Sequence, residues 1–148
     1  MRMERPFRVI GISHIGIAPK DLQTALSLFK NLGLNYDGKE DVTNQKTTTH
    51  FLTLVDSQEK SDTRIELLEQ LASEGTGPIQ QFLEKKGGGI HHIALQVDSV
   101  ANALAYLKQA GVKLIDEAPR VGAHGCKIAF IHPHAAGGIL VELTEEPS

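Results

Sequence analysis

HIGIAPKDLQTALSLFKNLG at residues 14–33 is restated in altered letters as HIALQVDSVANALAYLKQAG at residues 92–111. At a constant offset of 78, His14 lands on His92, Ile15 on Ile93, Ala25 on Ala103, Leu26 on Leu104, Lys30 on Lys108 and Gly33 on Gly111. A second echo pairs IELLE at 65–69 with VELTE at 141–145 at an offset of 76, and places Glu66 on Glu142. Each copy opens with a histidine and closes with a glutamate. The repeat is too long for a solenoid unit, and two copies fill the chain, so the pattern is that of a duplicated module rather than an array.

Each copy reads element by element. Val9 to Ala18 alternates as a strand, with Ile10, Ile12, His14, Gly16 and Ala18 on one face and Ser13, Ile15 and Ile17 on the other. Asp21 suits the N-cap of a helix whose stripe is Leu22, Ala25, Leu26 and Phe29, and Gly33 suits the left-handed position that ends it. In the second copy His92, Ala94 and Gln96 share one strand face; Asp98 or Ser99 caps a helix with Val100, Ala103, Leu104 and Leu107 in its stripe, and Gly111 stops it. Strand-like stretches follow at about 35–39, 47–55 and 64–68, and again at about 113–117, 127–132 and 138–144. Each module is therefore β-α-β-β-β. Thr76 and Pro78 open a short helix carrying Ile79, Phe82 and Leu83, and Gly87-Gly88-Gly89 leads into the second module. The expected architecture is α+β, one domain over residues 1–148. Module one spans about 8–70, the connecting helix about 76–86 and module two about 90–146. The two modules form a curved, barrel-like eight-stranded mixed sheet with helices on its outer face.

Composition narrows the classes of function. The chain has 148 residues, 41% hydrophobic and 22% charged, with a net charge of −3 and no long block of one sign, so no nucleic-acid partner is expected. The single Cys126 excludes an intramolecular disulfide and fits a reducing compartment; it is read as structural. No apolar run reaches the roughly 18 residues a membrane span needs. Basic residues precede apolar ones at 1–18, as in a secretory signal. However, Ser13 and His14 interrupt the apolar run and no cleavage pattern follows, so the segment is read as mature structure and the protein as cytoplasmic.

Alternation also sorts the chemistry. His14 shares its face with small Gly16 and Ala18, and His92 with Ala94 and Gln96, while large aliphatics fill the opposite faces. Glu66 and Glu142 are flanked by aliphatics, and a carboxylate buried unpaired there would be costly. A single buried histidine is ordinarily a hydrogen-bonded core residue, and a strand glutamate ordinarily faces solvent. The joint pattern argues otherwise. Equivalent positions in both modules carry ligand-capable groups, and two imidazoles with two carboxylates suit a divalent cation with room for substrate oxygens. His91 points to the opposite face from His92 and is read as a structural or supporting residue.

These residues resemble the vicinal oxygen chelate superfamily, which includes glyoxalases, bleomycin-resistance proteins and dioxygenases. Within it, four stretches are similar to the methylmalonyl-CoA epimerase family: SHIGIAPKDLQTAL at 13–26, FLEKKGGGIHHIALQVDSV at 82–100, VKLIDEAPRVGAHGCKIAFIHP at 112–133 and GGILVELTEE at 137–146. The resemblance implies a metal-dependent epimerase that interconverts (2R)- and (2S)-methylmalonyl-CoA. It implies His14, Glu66, His92 and Glu142 as metal ligands, with Glu142 also matching a carboxylate proposed as catalytic base. The implied cation is cobalt, with zinc, nickel or manganese compatible with the donor set. The implied partner is a small acyl-CoA substrate, and the oligomer a homodimer. By the same resemblance, Gly122–Gly125 and His132–His134 border the CoA-ester pocket; as a plain sequence they are equally turn residues with exposed imidazoles. Lys20, Lys85, Lys86 and Lys127 read as solvated surface.

One position departs from the family pattern. Some members carry a second glutamate where this chain has Thr49, and threonine is no base near neutral pH. His50 could titrate suitably but alternation sends it to the other strand face. The second base of an epimerase is thus unassigned in the sequence. Alternative readings are a glyoxalase I-like lyase using the same ligands on a glutathione hemithioacetal, and a non-catalytic small-molecule-binding protein of the bleomycin-resistance type.

Overall fold

Both helical stripes and both histidine-bearing strands form where the alternation places them. The computed structural model describes residues 4–55 and 60–148; residues 1–3 of the signal-like opening lie outside them. The fold is α+β with eight strands in a mixed sheet. The elements run β1 (Val9–Ala18), α1 (Leu22–Asn31), β2 (Asn35–Val42), β3 (Thr47–Val55), β4 (Lys60–Gln70), α2 (Pro78–Lys86), β5 (Gly89–Val97), α3 (Val100–Gln109), β6 (Arg120–Val121), β7 (Lys127–Ile131) and β8 (Val141–Glu145). The chain divides into two compact units, His14–His91 and the remainder, so that β1 and β5 each contribute residues to both.

In the first unit the strand order is β2-β3-β4-β1. The pairs β2–β3 and β3–β4 are antiparallel, whereas β4 and β1 are parallel, joined by a long connection through α1, β2 and β3. Asp21 caps α1 by accepting from the Thr24 N–H at 3.1 Å. The apolar stripe of the helix buries Leu26 against Leu52 and Leu67, with Ile17, Leu22, Ala25, Phe29 and Ile65 around them. Opposite faces of the same strands serve a different layer: Ala18 and Leu68 pack with Ile79, Phe82 and Leu83 of α2. Gly87 ends that helix with φ +74, and Gly88, at φ +110, lies so close to the chain that an added Cβ would stand 2.9 Å from the Lys20 nitrogen. A glycine is required there on both counts.

In the second unit the order is β5-β8-β7-β6, with β5 and β8 parallel and the other pairs antiparallel. Ser99, not Asp98, caps α3, accepting from the Asn102 N–H at 3.1 Å. Asp98 instead accepts from the Arg8 backbone N–H at 2.8 Å. Val97, Val100, Ala103, Leu104, Ala129 and Leu143 form the core of this unit. Phe7 joins it and meets the Tyr106 ring edge-on at 5.7 Å.

The strand expected at 113–117 is a correction. Only Leu114 makes a bridge there, to Ile131. The Ile115 and Asp116 N–H groups both donate to the Phe130 carbonyl, and the Asp116 carboxylate accepts the Phe130 N–H at 2.8 Å. A side chain has taken the acceptor place of a ladder carbonyl, which stops regular pairing. Pro119 follows, and the sheet resumes as the two residues of β6. The expected strand at 138–144 forms later, as β8.

Candidate active site

Strand register puts the two histidines and two glutamates in equivalent relationships. In the first unit Gly16 stands beside Glu66 in the parallel pair β1–β4, so His14 lies two residues before the carboxylate's partner on the same face. In the second, Ala94 stands beside Glu142 in β5–β8, and His92 again lies two residues before. The side chains meet accordingly: His14 Nδ1 is 3.2 Å from Glu66 Oε2, and His92 Nε2 is 3.3 Å from Glu142 Oε1. All four residues are buried.

The faces around them repeat too. The residue paired with Glu66 on β3 is Phe51, and the residue paired with Glu142 on β7 is Phe130. Phe51 and Phe130 are buried, and the Phe130 ring meets His92 edge-on at 5.8 Å. These phenylalanines were not singled out in the sequence, although they sit at matching places in the duplicated strands. Each closes one side of its carboxylate with a nonpolar ring.

The first unit adds a cation. Arg64 stands beside His14 in the β1–β4 register and donates from Nη2 to Glu66 Oε2 at 3.2 Å. Burial still pushes the Glu66 carboxyl up to about 7, against the pull of Arg64 and with a smaller push in the same direction from the charge of Glu40. Burial takes His14 down to about 3, and Arg64 adds to that. The pair is thus a neutral imidazole beside a carboxyl group that the surroundings strip of water. A neutral imidazole is the form that coordinates metal, and a divalent cation would compensate the buried carboxylate charge that burial alone disfavours. His14, His92 and Glu142 carry nitrogen and oxygen donors that could hold such an ion.

Thr49 and His50 separate as alternation requires. Thr49 and Phe51 share a face, and Phe51 pairs with Glu66, so Thr49 is on the face of Glu66. His50 is buried on the other side of β3, where its Nδ1 is 2.9 Å from the Tyr36 hydroxyl and its Nε2 is 2.8 Å from Glu69 Oε1. With both nitrogens engaged there, His50 belongs to the helix-side layer. His91 meets the Phe82 ring edge-on at 5.0 Å. The loop histidines 132 and 134 face one another at 4.5 Å between ring centroids, and His132 Nδ1 accepts the His134 N–H.

Comparisons with known proteins give the family. Residues 13–130 match the family model of the glyoxalase/bleomycin resistance protein/dioxygenase superfamily. The chain is 37% identical to the mitochondrial methylmalonyl-CoA epimerase of Dictyostelium discoideum, covering 91% of this chain and 78% of the relative. It is 39% identical to the ethylmalonyl-CoA/methylmalonyl-CoA epimerase of Cereibacter sphaeroides, covering 90% of this chain and 96% of the relative. The crystal structure of methylmalonyl-CoA epimerase from Mycobacterium tuberculosis superposes with a TM-score of 0.85 at 33% identity, covering 99% of this chain and 94% of that one. The duplicated register, the buried histidine–glutamate pairs and these likenesses together place the chain in the glyoxalase/bleomycin resistance protein/dioxygenase superfamily and, within it, in the methylmalonyl-CoA epimerase family.

Proposed function

We propose that this chain interconverts (2R)- and (2S)-methylmalonyl-CoA by removing and returning the proton on C2, with one divalent cation held by His14, Glu66, His92 and Glu142. The observation that carries this reading is the repeated geometry: one imidazole 3.2–3.3 Å from one buried carboxylate in each unit, set by the same strand register. A glyoxalase I-like lyase would use the same ligand types, and the family likeness to epimerases decides between them.

The chemistry follows from the substrate. The C2–H lies between a thioester and a carboxylate, so its removal yields an enolate whose charge needs a preorganised electrophile. A cation bound by these residues would supply that Lewis-acid stabilisation. The protein's own groups do the rest. Glu142 takes the C2 proton, and its burial beside Phe130 and His92 keeps water from competing for it. His14, kept neutral by burial, and His92 offer nitrogen donors. Arg64 fixes the Glu66 carboxylate in one orientation. Cobalt is the cation the family resemblance favours, and two nitrogens with two oxygens also admit zinc, nickel or manganese.

The reading includes a cytoplasmic homodimer of single-domain chains. Ile10 and Ile12 are each about half exposed on one face of β1, an apolar strand surface that a second copy would cover. Among the described residues no helix is long and apolar enough to cross a membrane.

The test is isotopic. Incubated in heavy water with (2S)-methylmalonyl-CoA and a divalent metal, the protein is expected to wash deuterium into C2 and to produce the (2R) form. Treatment with a chelator should stop both, and added metal should restore them. Failure to exchange with any divalent metal overturns the reading.

A further inference from the structure

Within the second unit a guanidinium stands on the same sheet face as Glu142. We infer that this group, on Arg120, receives the carboxylate of the substrate's acyl portion and so selects CoA esters that carry one. The inference rests on the epimerase reading above.

Strand register sets the placement. Arg120 stands opposite Ile128 in the antiparallel pair β6–β7, and residues directly opposed across such a pair share a face. Ile128 and Phe130 lie two residues apart on β7, so they share that face in turn. Phe130 is paired with Glu142. Arg120 is therefore on the face of Glu142, and the side chains meet accordingly. The guanidinium carbon lies over the Phe130 ring at 5.4 Å from its centroid, and the same ring meets His92 edge-on at 5.8 Å. One aromatic ring thus connects the guanidinium to the histidine–glutamate pair.

Asp116 holds the guanidinium in that place. Its Oδ2 accepts the Phe130 N–H at 2.8 Å, and its Oδ1 is 3.3 Å from Arg120 Nε. The carboxylate that interrupts the ladder at 113–117 therefore grips Phe130 by its backbone and Arg120 by its charge. A planar guanidinium held at Nε and stacked on a ring has little rotamer freedom left to lose when an anion docks on it. The Arg120 side chain is 33% exposed, so an anion can reach it.

An acyl-CoA of this class offers two kinds of anion, the acyl carboxylate and the phosphates of CoA. The carboxylate is attached to C2, the carbon from which Glu142 takes the proton in the reading above. The phosphates lie beyond the whole pantetheine arm. A cation one ring away from the His92–Glu142 pair is placed for the carboxylate. The N–H groups of a guanidinium also match a carboxylate oxygen for oxygen, and arginine keeps its charge throughout the working pH range.

The experiment measures equilibrium binding of malonyl-CoA and of propionyl-CoA to metal-loaded wild type, Arg120→Gln and Arg120→Lys. The first ester carries the acyl carboxylate and the second lacks it. In Arg120→Gln the Kd of malonyl-CoA should rise about 10- to 100-fold, the loss expected for a charge-assisted hydrogen bond, while that of propionyl-CoA should change less than about twofold. Arg120→Lys keeps the charge without the fork and should weaken malonyl-CoA by an intermediate factor; it carries the same test should the Gln variant fold poorly. Unchanged malonyl-CoA binding in either variant overturns the assignment. So does equal weakening of both esters, which would put the CoA phosphates on Arg120. Wild type that binds neither ester overturns the epimerase reading instead.

Discussion

The two units repeat one another in their histidine–glutamate pairs and differ in what surrounds them. His14 with Glu66 and His92 with Glu142 have the same register, nearly the same spacing and a phenylalanine opposite each carboxylate. Around this shared frame the first unit places Arg64 on Glu66, a bulge in β2 and a Tyr36–His50–Glu69 hydrogen-bonded chain centred on buried His50. The second has a two-residue β6, an Asp116 side chain in place of ladder pairing, and paired loop histidines. Under the proposed reading, duplication would account for a symmetric demand, the supply of matched nitrogen and oxygen donors. The proposed reaction is not symmetric in its groups, since Glu142 alone is its assigned base, and the surroundings of the two pairs are unequal.

The sharpest way to break the equivalence is to neutralise the two glutamates one at a time. Glu142→Gln is expected to lower turnover by about 1,000-fold, roughly 4 kcal/mol, because it removes the proposed base as well as a ligand charge. Glu66→Gln keeps an oxygen donor and has no proton to move, so its turnover should stay within about tenfold of wild type. Steady-state rates with metal content measured on each variant decide the point. Equal losses would mean that the two units are chemically interchangeable.

Packing offers a second comparison. Leu67 and Leu143 are equivalent positions, both buried, each in the core beneath its own helix. Leu67→Ala and Leu143→Ala should each destabilise by about 2–5 kcal/mol in denaturant titrations. Costs that differ by more than the width of that range would show that only one unit carries the cooperative core. The smallest expected effect is at the caps. Asp21→Ala and Ser99→Ala each remove one N–H acceptor and should each lower stability by about 1 kcal/mol, read as parallel shifts of the thermal midpoint. A loss at one cap alone would mark that helix as the more independently stable.

The reach of sequence reading is visible in particular residues. The helix stripes, the Asp21 cap and the inward histidines are legible because helical and strand periodicity are local, and Gly16 and Ala18 leave room on the histidine side. Asp98 and Ser99 could not be ranked as caps, since the choice turns on where Arg8 runs. The strand expected at 113–117 does not form because one carboxylate, Asp116, outcompetes a ladder carbonyl for the Phe130 N–H. Arg64 was within reach of the same alternation, two residues before Glu66 on its face, but its pairing with Glu66 had no separate signal.

By itself, the sequence determined that the chain is a duplicated β-α-β-β-β protein and that histidine and glutamate recur at matched positions in its two copies. Both follow from short-range periodicity, which any strand or amphipathic helix must obey to bury one face. Only the tertiary structure decided which carboxylates share a face with those histidines. That is a matter of register between strands far apart in the chain, and one added residue, as at the bulge before Glu40, moves every following side chain to the other side.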